Sequence, residues 1–133
     1  MYFMHDLKLF VLISWISLPA VMFGGYSALT WLYGRLTETQ LKFFRLGHAH
    51  AGVLLVLSLV YYNYLAMTTL SRTAKLAACG VLAGGIILQS GGFFWHAFLD
   101  GEKKRVGIYI TSVGALLLAV AIVWLAVALA IRW

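Results

Sequence analysis

The stretch FRLGHAHAGVLLVLSLVYYNYL, residues 44–65, decides the fold. Beyond His50 it is apolar for nearly long enough to cross a hydrocarbon core of about 30 Å, which takes about 20 residues of helix. His48 and His50 nevertheless stand at its mouth, and ionisable side chains in such a segment are costly enough to mark function by default. Three more apolar runs flank it, so spans are expected over residues 7–33, 38–66, 74–99 and 106–131. The chain of 133 residues is 63% hydrophobic and 11% charged, and its mean hydropathy is +0.94, far from a soluble globular average. Short connections make adjacent spans antiparallel. The expected fold is a single all-α domain over residues 1–133, an integral membrane up-down-up-down four-helix bundle with both termini on one side. Lys8 ahead of an apolar run also fits a signal peptide; the segment is read here as a retained first span.

The polar residues exclude several functions. Formal charge is +6, but it is spread around loops and forms no stripe for nucleic acid. Arg35, Lys42, Arg45, Lys103, Lys104 and Arg105 stand against Lys8, Arg72, Lys75 and Arg132 on the terminal side, which leans loops one and three towards the cytoplasm. The carboxylates Asp6, Glu38, Asp100 and Glu102 all lie outside the apolar cores, which argues against acid–base catalysis or ion transport by buried carboxylates. Cys79 is the only cysteine, so neither an intrachain disulfide nor a cysteine metal cluster is available. No phosphate loop or dinucleotide fingerprint occurs. Trp31, Tyr33, Arg132 and Trp133 read as headgroup anchors, and Asn63 with Tyr61, Tyr62 and Tyr64 as anchors and interhelical hydrogen-bonding groups.

Thr37-Glu38-Thr39-Gln40 has capping-box spacing, so the second helix starts before the hydrocarbon does. His48 then sits near the interface and His50 slightly deeper. Residues two apart differ by about 200° around a helix, so the two imidazoles cannot ligate one metal together. One is expected to face the bundle and the other a loop, headgroups or another subunit. The third helix runs back and returns His96 to the same leaflet; His5 reads as solvated. In QSGGFFWHAF, residues 89–98, His96 continues a helical stripe with Gly92, Gln89 and Gly85. Glycines there serve helix packing, a use that Gly80-x-x-x-Gly84 fits well, or leave Gly85 and Gly92 open to a flat ligand. Pro19 is expected to kink the first helix and, with Gly24-Gly25, to open space. The fourth helix, without an ionisable residue in its apolar run, reads as a wall facing lipid or another subunit.

Imidazole in an apolar bundle is a natural axial ligand for haem, which needs one or two such ligands, whereas a bare divalent metal more often takes three or four. GHAHAGVLLVLSLVYY together with QSGGFFWH resembles a family of small bacterial four-helix membrane proteins over nearly the whole chain. More distantly it is similar to styrene oxide isomerase and hydroxylaminobenzene mutase. The resemblance places the isomerase His-x-Gly on His50-Ala51-Gly52. It implies that His50 ligates haem b at the subunit interface of a trimer, with ferric haem acting as Lewis acid on an epoxide oxygen. The chain departs from that isomerase at Val56, where the family has an asparagine, and in Phe93-Phe94-Trp95, where it has a tyrosine.

The resulting expectation is a homotrimeric isomerase in the bacterial inner membrane, with haem b on His50 and a small apolar, epoxide-like substrate. Gln89 and His96 would orient the substrate oxygen, Phe93, Phe94, Trp95 and Val56 would line its pocket, and His48, Gly52, Gly85 and Gly92 would border the cofactor. Two rivals stand beside it: a non-catalytic haem b electron carrier or gas sensor with His50 and His96 as axial ligands, and a cofactor-free structural subunit.

Overall fold

The computed structural model describes the backbone of residues 3–99 and 103–131 and the side chains of residues 7–99 and 105–131. The side chains of His5, Asp6, Lys103 and Lys104, and residues Asp100, Glu102, Arg132 and Trp133, lie outside the described residues. Four helices account for nearly all of it: α1 (Phe3–Thr30), α2 (Glu38–Met67), α3 (Arg72–Phe98) and α4 (Lys103–Ala130). At 1.5 Å per residue each is about 40–45 Å long, so their ends reach beyond a hydrocarbon core of about 30 Å. All four are long and apolar enough to cross a membrane, as a multi-pass membrane protein requires.

Local chemistry sets the helix ends. α1 stops at Thr30, ahead of Trp31 and Tyr33. Beyond it Gly34 takes φ 79°, a conformation open to glycine without penalty, and the Arg35 guanidinium lies 5.5 Å from the Trp31 ring centre. The capping box is formed: Gln40 N–H donates to Thr37 Oγ1 at 3.3 Å and Thr37 N–H to Gln40 Oε1 at 3.0 Å. Ser71 caps α3 by accepting from Ala74 N–H at 3.3 Å. Lys75 Nζ donates to the Ala66 carbonyl at the end of α2 across 3.1 Å, which satisfies one of that helix's orphan acceptors.

The helices pack in chain order, α1 on α2, α2 on α3 and α3 on α4, with only slight contact on the diagonals. Among the described residues α1 and α4 make no close backbone approach. The arrangement is therefore a row folded on itself, without the fourth side of a closed bundle. Ser14 and Ser58 share a buried hydrogen bond of 2.8 Å between α1 and α2. Tyr61 O–H donates to Ala121 O at 3.0 Å, tying α2 to α4. Around these lie the core residues Leu54, Tyr62, Leu65, Cys79, Leu82 and Leu118. Outward faces stay apolar, with Met22, Ile16 and Leu116 all largely exposed, as a hydrocarbon solvent demands.

The tightest contact is the α3–α4 seam, and glycine makes it. A methyl on Gly85 would lie 2.9 Å from Leu118 Cγ, and one on Gly107 3.0 Å from His96 Cβ. Gly92 abuts Thr111 and the Gly107 carbonyl, and Gly114 abuts the backbone of Leu88 and Gln89. Successive partners thus climb one helix and descend the other in steady antiparallel register. The expected packing motif behaves differently: a methyl on Gly80 meets nothing within 4 Å, and one on Gly84 only Leu117 at 3.9 Å. Its four-residue spacing is correct for packing, but Gly80 is exposed and Gly84 would reach α4 only at ordinary van der Waals distance.

These contrasts predict opposite effects of one added methyl. Gly114→Ala is expected to destabilise by about 1–3 kcal/mol through overpacking. Gly80→Ala, which removes a poor helix former where space is open, should leave stability unchanged or raise it. Thermal unfolding in mild detergent, followed by circular dichroism, checks both.

Candidate functional site

Three histidines lie on one leaflet, each in a different helix seam. His48 points at α1, where its ring fills the notch made by Gly24 and Gly25: a methyl on Gly25 would lie 2.7 Å from Nε2, and one on Gly24 3.4 Å from Nδ1. The space expected beside Pro19 and Gly24-Gly25 is thus occupied by imidazole. Gly52, one turn further along α2, faces the same way, with Val21 Cγ1 3.6 Å from the position of a methyl. Neither His48 nor Gly52 shares a face with His50.

His50 turns the other way, towards α3, as the helical angle requires. Both imidazoles face neighbouring helices of the same chain, whereas one had been expected to face a loop, headgroups or another subunit. The His50 ring centre lies 4.8 Å from that of Phe93, and Nδ1 is 2.9 Å from the Leu46 carbonyl one turn back. A carbonyl can only accept, so Nδ1 carries the proton. In the neutral ring the Nε2 lone pair is then available to a ligand, the arrangement that orients metal-binding histidines. The ring is half-buried. Gly47 allows the local closeness of α2 and α3, since a methyl there would lie 3.1 Å from Phe93 Cβ.

His96 sits at the loop-side end of the α3–α4 seam, its ring centre 3.9 Å from that of Phe43. Beside it is a cleft of about 130 Å³ lined by Phe43, Phe93, His96, Ile108, Thr111 and Ser112, with Gly92 and Gly107 at its back. Phe93 borders both this cleft and His50. The cleft is close to the volume of about 150 Å³ that accepts benzene in an engineered protein cavity, and well under the roughly 300–1,000 Å³ usual for larger ligands. It has room for a ring-sized molecule and none for a porphyrin.

The other candidate residues scatter. Gly85 is filled by Leu118, so a flat ligand has no open backbone there; Gly92 is filled towards Thr111 but still borders the cleft. Gln89 lies in the seam with its carbonyl 3.4 Å from Thr111 Oγ1, outside the cleft lining. Phe94 packs edge-on against Phe44 at 5.3 Å. Val56 and Trp95 are exposed on the outer face. The cleft's hydroxyls, Thr111 and Ser112, were missed because α4 was read for ionisable groups alone; the polar pair preceding Gly114 in an otherwise apolar helix was the available signal. Among the described residues no three His, Cys, Asp or Glu side chains converge as a metal cluster.

If His48 is a packing group in the Gly24-Gly25 notch, the two sides must couple. Gly25→Leu alone is expected to lower the detergent melting temperature, while Gly25→Leu with His48→Ala should recover part of the loss, giving a double-mutant coupling of about 0.5–3 kcal/mol. Additive losses would remove His48 from that role. No family model matches the chain, and neither does any curated protein or solved structure.

Proposed function

We propose that the protein is a haem b-binding isomerase of the bacterial inner membrane, active as a homo-oligomer of trimeric type on a small apolar, epoxide-like substrate. One observation carries the reading: His50 is a partly accessible imidazole whose Nδ1–H is held by the Leu46 carbonyl, leaving Nε2 to ligate. A group with a single protein ligand suits a chain in which histidines do not converge. The cleft is too small for a porphyrin, so the cofactor is assigned a place outside it, against the half-buried His50, with a second copy covering it.

Bound there, ferric haem would supply Lewis acidity to a substrate oxygen without redox turnover. The chain's own residues supply the rest. His96, at the cleft wall, donates a hydrogen bond to the oxygen as one carbon–oxygen bond opens; the Thr111 and Ser112 protons are given to the Gln89 and Ile108 carbonyls, so these hydroxyls line the cleft as acceptors. The faces of Phe43 and Phe93 stabilise positive charge developing on carbon. Hydride migration to that carbon then yields the carbonyl isomer, with no atoms gained or lost. The backbone carbonyl of Gln89, set back in the seam, orients the Thr111 hydroxyl by accepting its proton.

Absorption spectra of the purified protein, with and without dithionite, test the reading. A Soret band is expected; His50→Ala should lower it by at least about tenfold, while His48→Ala leaves it largely intact. The ferric protein should convert styrene oxide or a related epoxide to an aldehyde, and His96→Ala should reduce turnover more than haem content. Six-coordinate iron with two histidine ligands and no reaction with any epoxide would instead assign an electron carrier or gas sensor. Absence of any Soret band would leave the cofactor-free subunit.

A further inference from the structure

In the leaflet opposite the histidines, α1 and α2 border a groove of about 710 Å³. Its walls include Leu7, Trp15, Leu59 and Ala66, and Lys8 and Asn63 are its exposed polar members beside the buried Tyr62. Ser14 pairs with Ser58, and Phe10 faces Tyr62 with ring centres 5.9 Å apart, so the antiparallel register brings Lys8 level with Asn63. Both are exposed. They lie within about two turns of the helix ends, whereas Trp15 and Leu59 lie deeper, about 10 Å further along α1 from Lys8 at 1.5 Å per residue.

The groove therefore has a polarity gradient along the membrane normal, with a cation and an amide at the headgroup end and mainly apolar walls towards the midplane. The Asn63 amide makes no hydrogen bond within the described residues, so at the headgroup end its donors are open to a lipid oxygen. We propose that this groove binds one anionic phospholipid per chain. Its acyl chain lies between α1 and α2, its phosphate is held by Lys8, and its ester or glycerol oxygens accept from Asn63. Charge complementarity selects the occupant, because a zwitterionic lipid offers Lys8 a phosphate already neutralised by its own ammonium. The site is independent of the histidine leaflet and of any haem.

Native mass spectrometry of the full chain in mild detergent, titrated in turn with dioleoyl phosphatidylglycerol, dioleoyl phosphatidylcholine and oleate, is the test. The expected result is one phosphatidylglycerol per chain, bound about fivefold more tightly than phosphatidylcholine, the contribution of a single basic side chain at an anionic surface. Lys8→Gln should erase that preference, Lys8→Arg should keep it, and Ala66→Phe, which fills the groove, should weaken both lipids at unchanged helical content. Equal binding of the two phospholipids, or a preference that survives Lys8→Gln, would reduce the groove to ordinary annular contact and overturn the proposal. Oleate binding as tightly as phosphatidylglycerol would make it a fatty-acid site. A changed oligomeric state in Ala66→Phe without lipid loss would assign the groove to a second copy.

Discussion

The close approach of α3 and α4 governs the arrangement of the rest. In lipid, apolar side chains gain little by leaving one hydrocarbon for another, so helices associate through packing and interhelical hydrogen bonds. Gly85, Gly92, Gly107 and Gly114 supply the packing by letting backbone meet backbone or a single side chain. Thr111 Oγ1, 3.4 Å from the Gln89 carbonyl, adds a polar tie at the same level. With the register fixed, His96 falls against Gly107 and the small cleft opens where Phe43 of α2 comes over the seam. The cleft follows from where the glycines end.

The histidines show the same dependence on neighbours. His48, His50 and His96 occupy the α1–α2, α2–α3 and α3–α4 seams, and each is held by something different: a glycine notch, a carbonyl one turn back, and a phenyl ring. His48 is enclosed by α1 and contributes shape. His50 is the one whose hydrogen bond leaves a defined nitrogen for a ligand. The HAHAG stretch thus combines a packing histidine and a ligand candidate two residues apart, because 200° of helical rotation sends them to different helices.

Much of the fold was legible because it depends on properties local to the chain. Span lengths, the Thr37–Gln40 cap and the opposed directions of His48 and His50 follow from composition and helical geometry. What depended on partners was not legible. Gly80-x-x-x-Gly84 and the Gly85–Gly92 stripe both have helical spacing, and nothing in the spacing says which face α4 covers; packing, expected of both, falls to Gly85 and Gly92. Whether α1 meets α4 is equally non-local, since short loops fix adjacent pairs and leave closure to crossing angles. At the site, Thr111 and Ser112 were invisible to a reading that searched α4 only for charge.

The two leaflets are built to different ends. Leu65, Cys79, Leu82 and Ser58 are the largest fully buried side chains, and all lie at mid-span or towards the α2–α3 connection. There Lys75 closes the end of α2, and Tyr61 and Ser14 add buried hydrogen bonds. The histidine half has the cleft, the half-buried imidazoles and the glycine notch instead. Buried cohesion near the α2–α3 connection leaves polar groups and open space to the histidine seams and to the outward α1–α2 groove, features that cost stability wherever they occur and are tolerated where function needs them. A chain this short cannot place a large cavity inside itself without giving up that cohesive half. A ligand larger than the cleft would have to lie outside it, against a surface such as the one beside the half-buried His50.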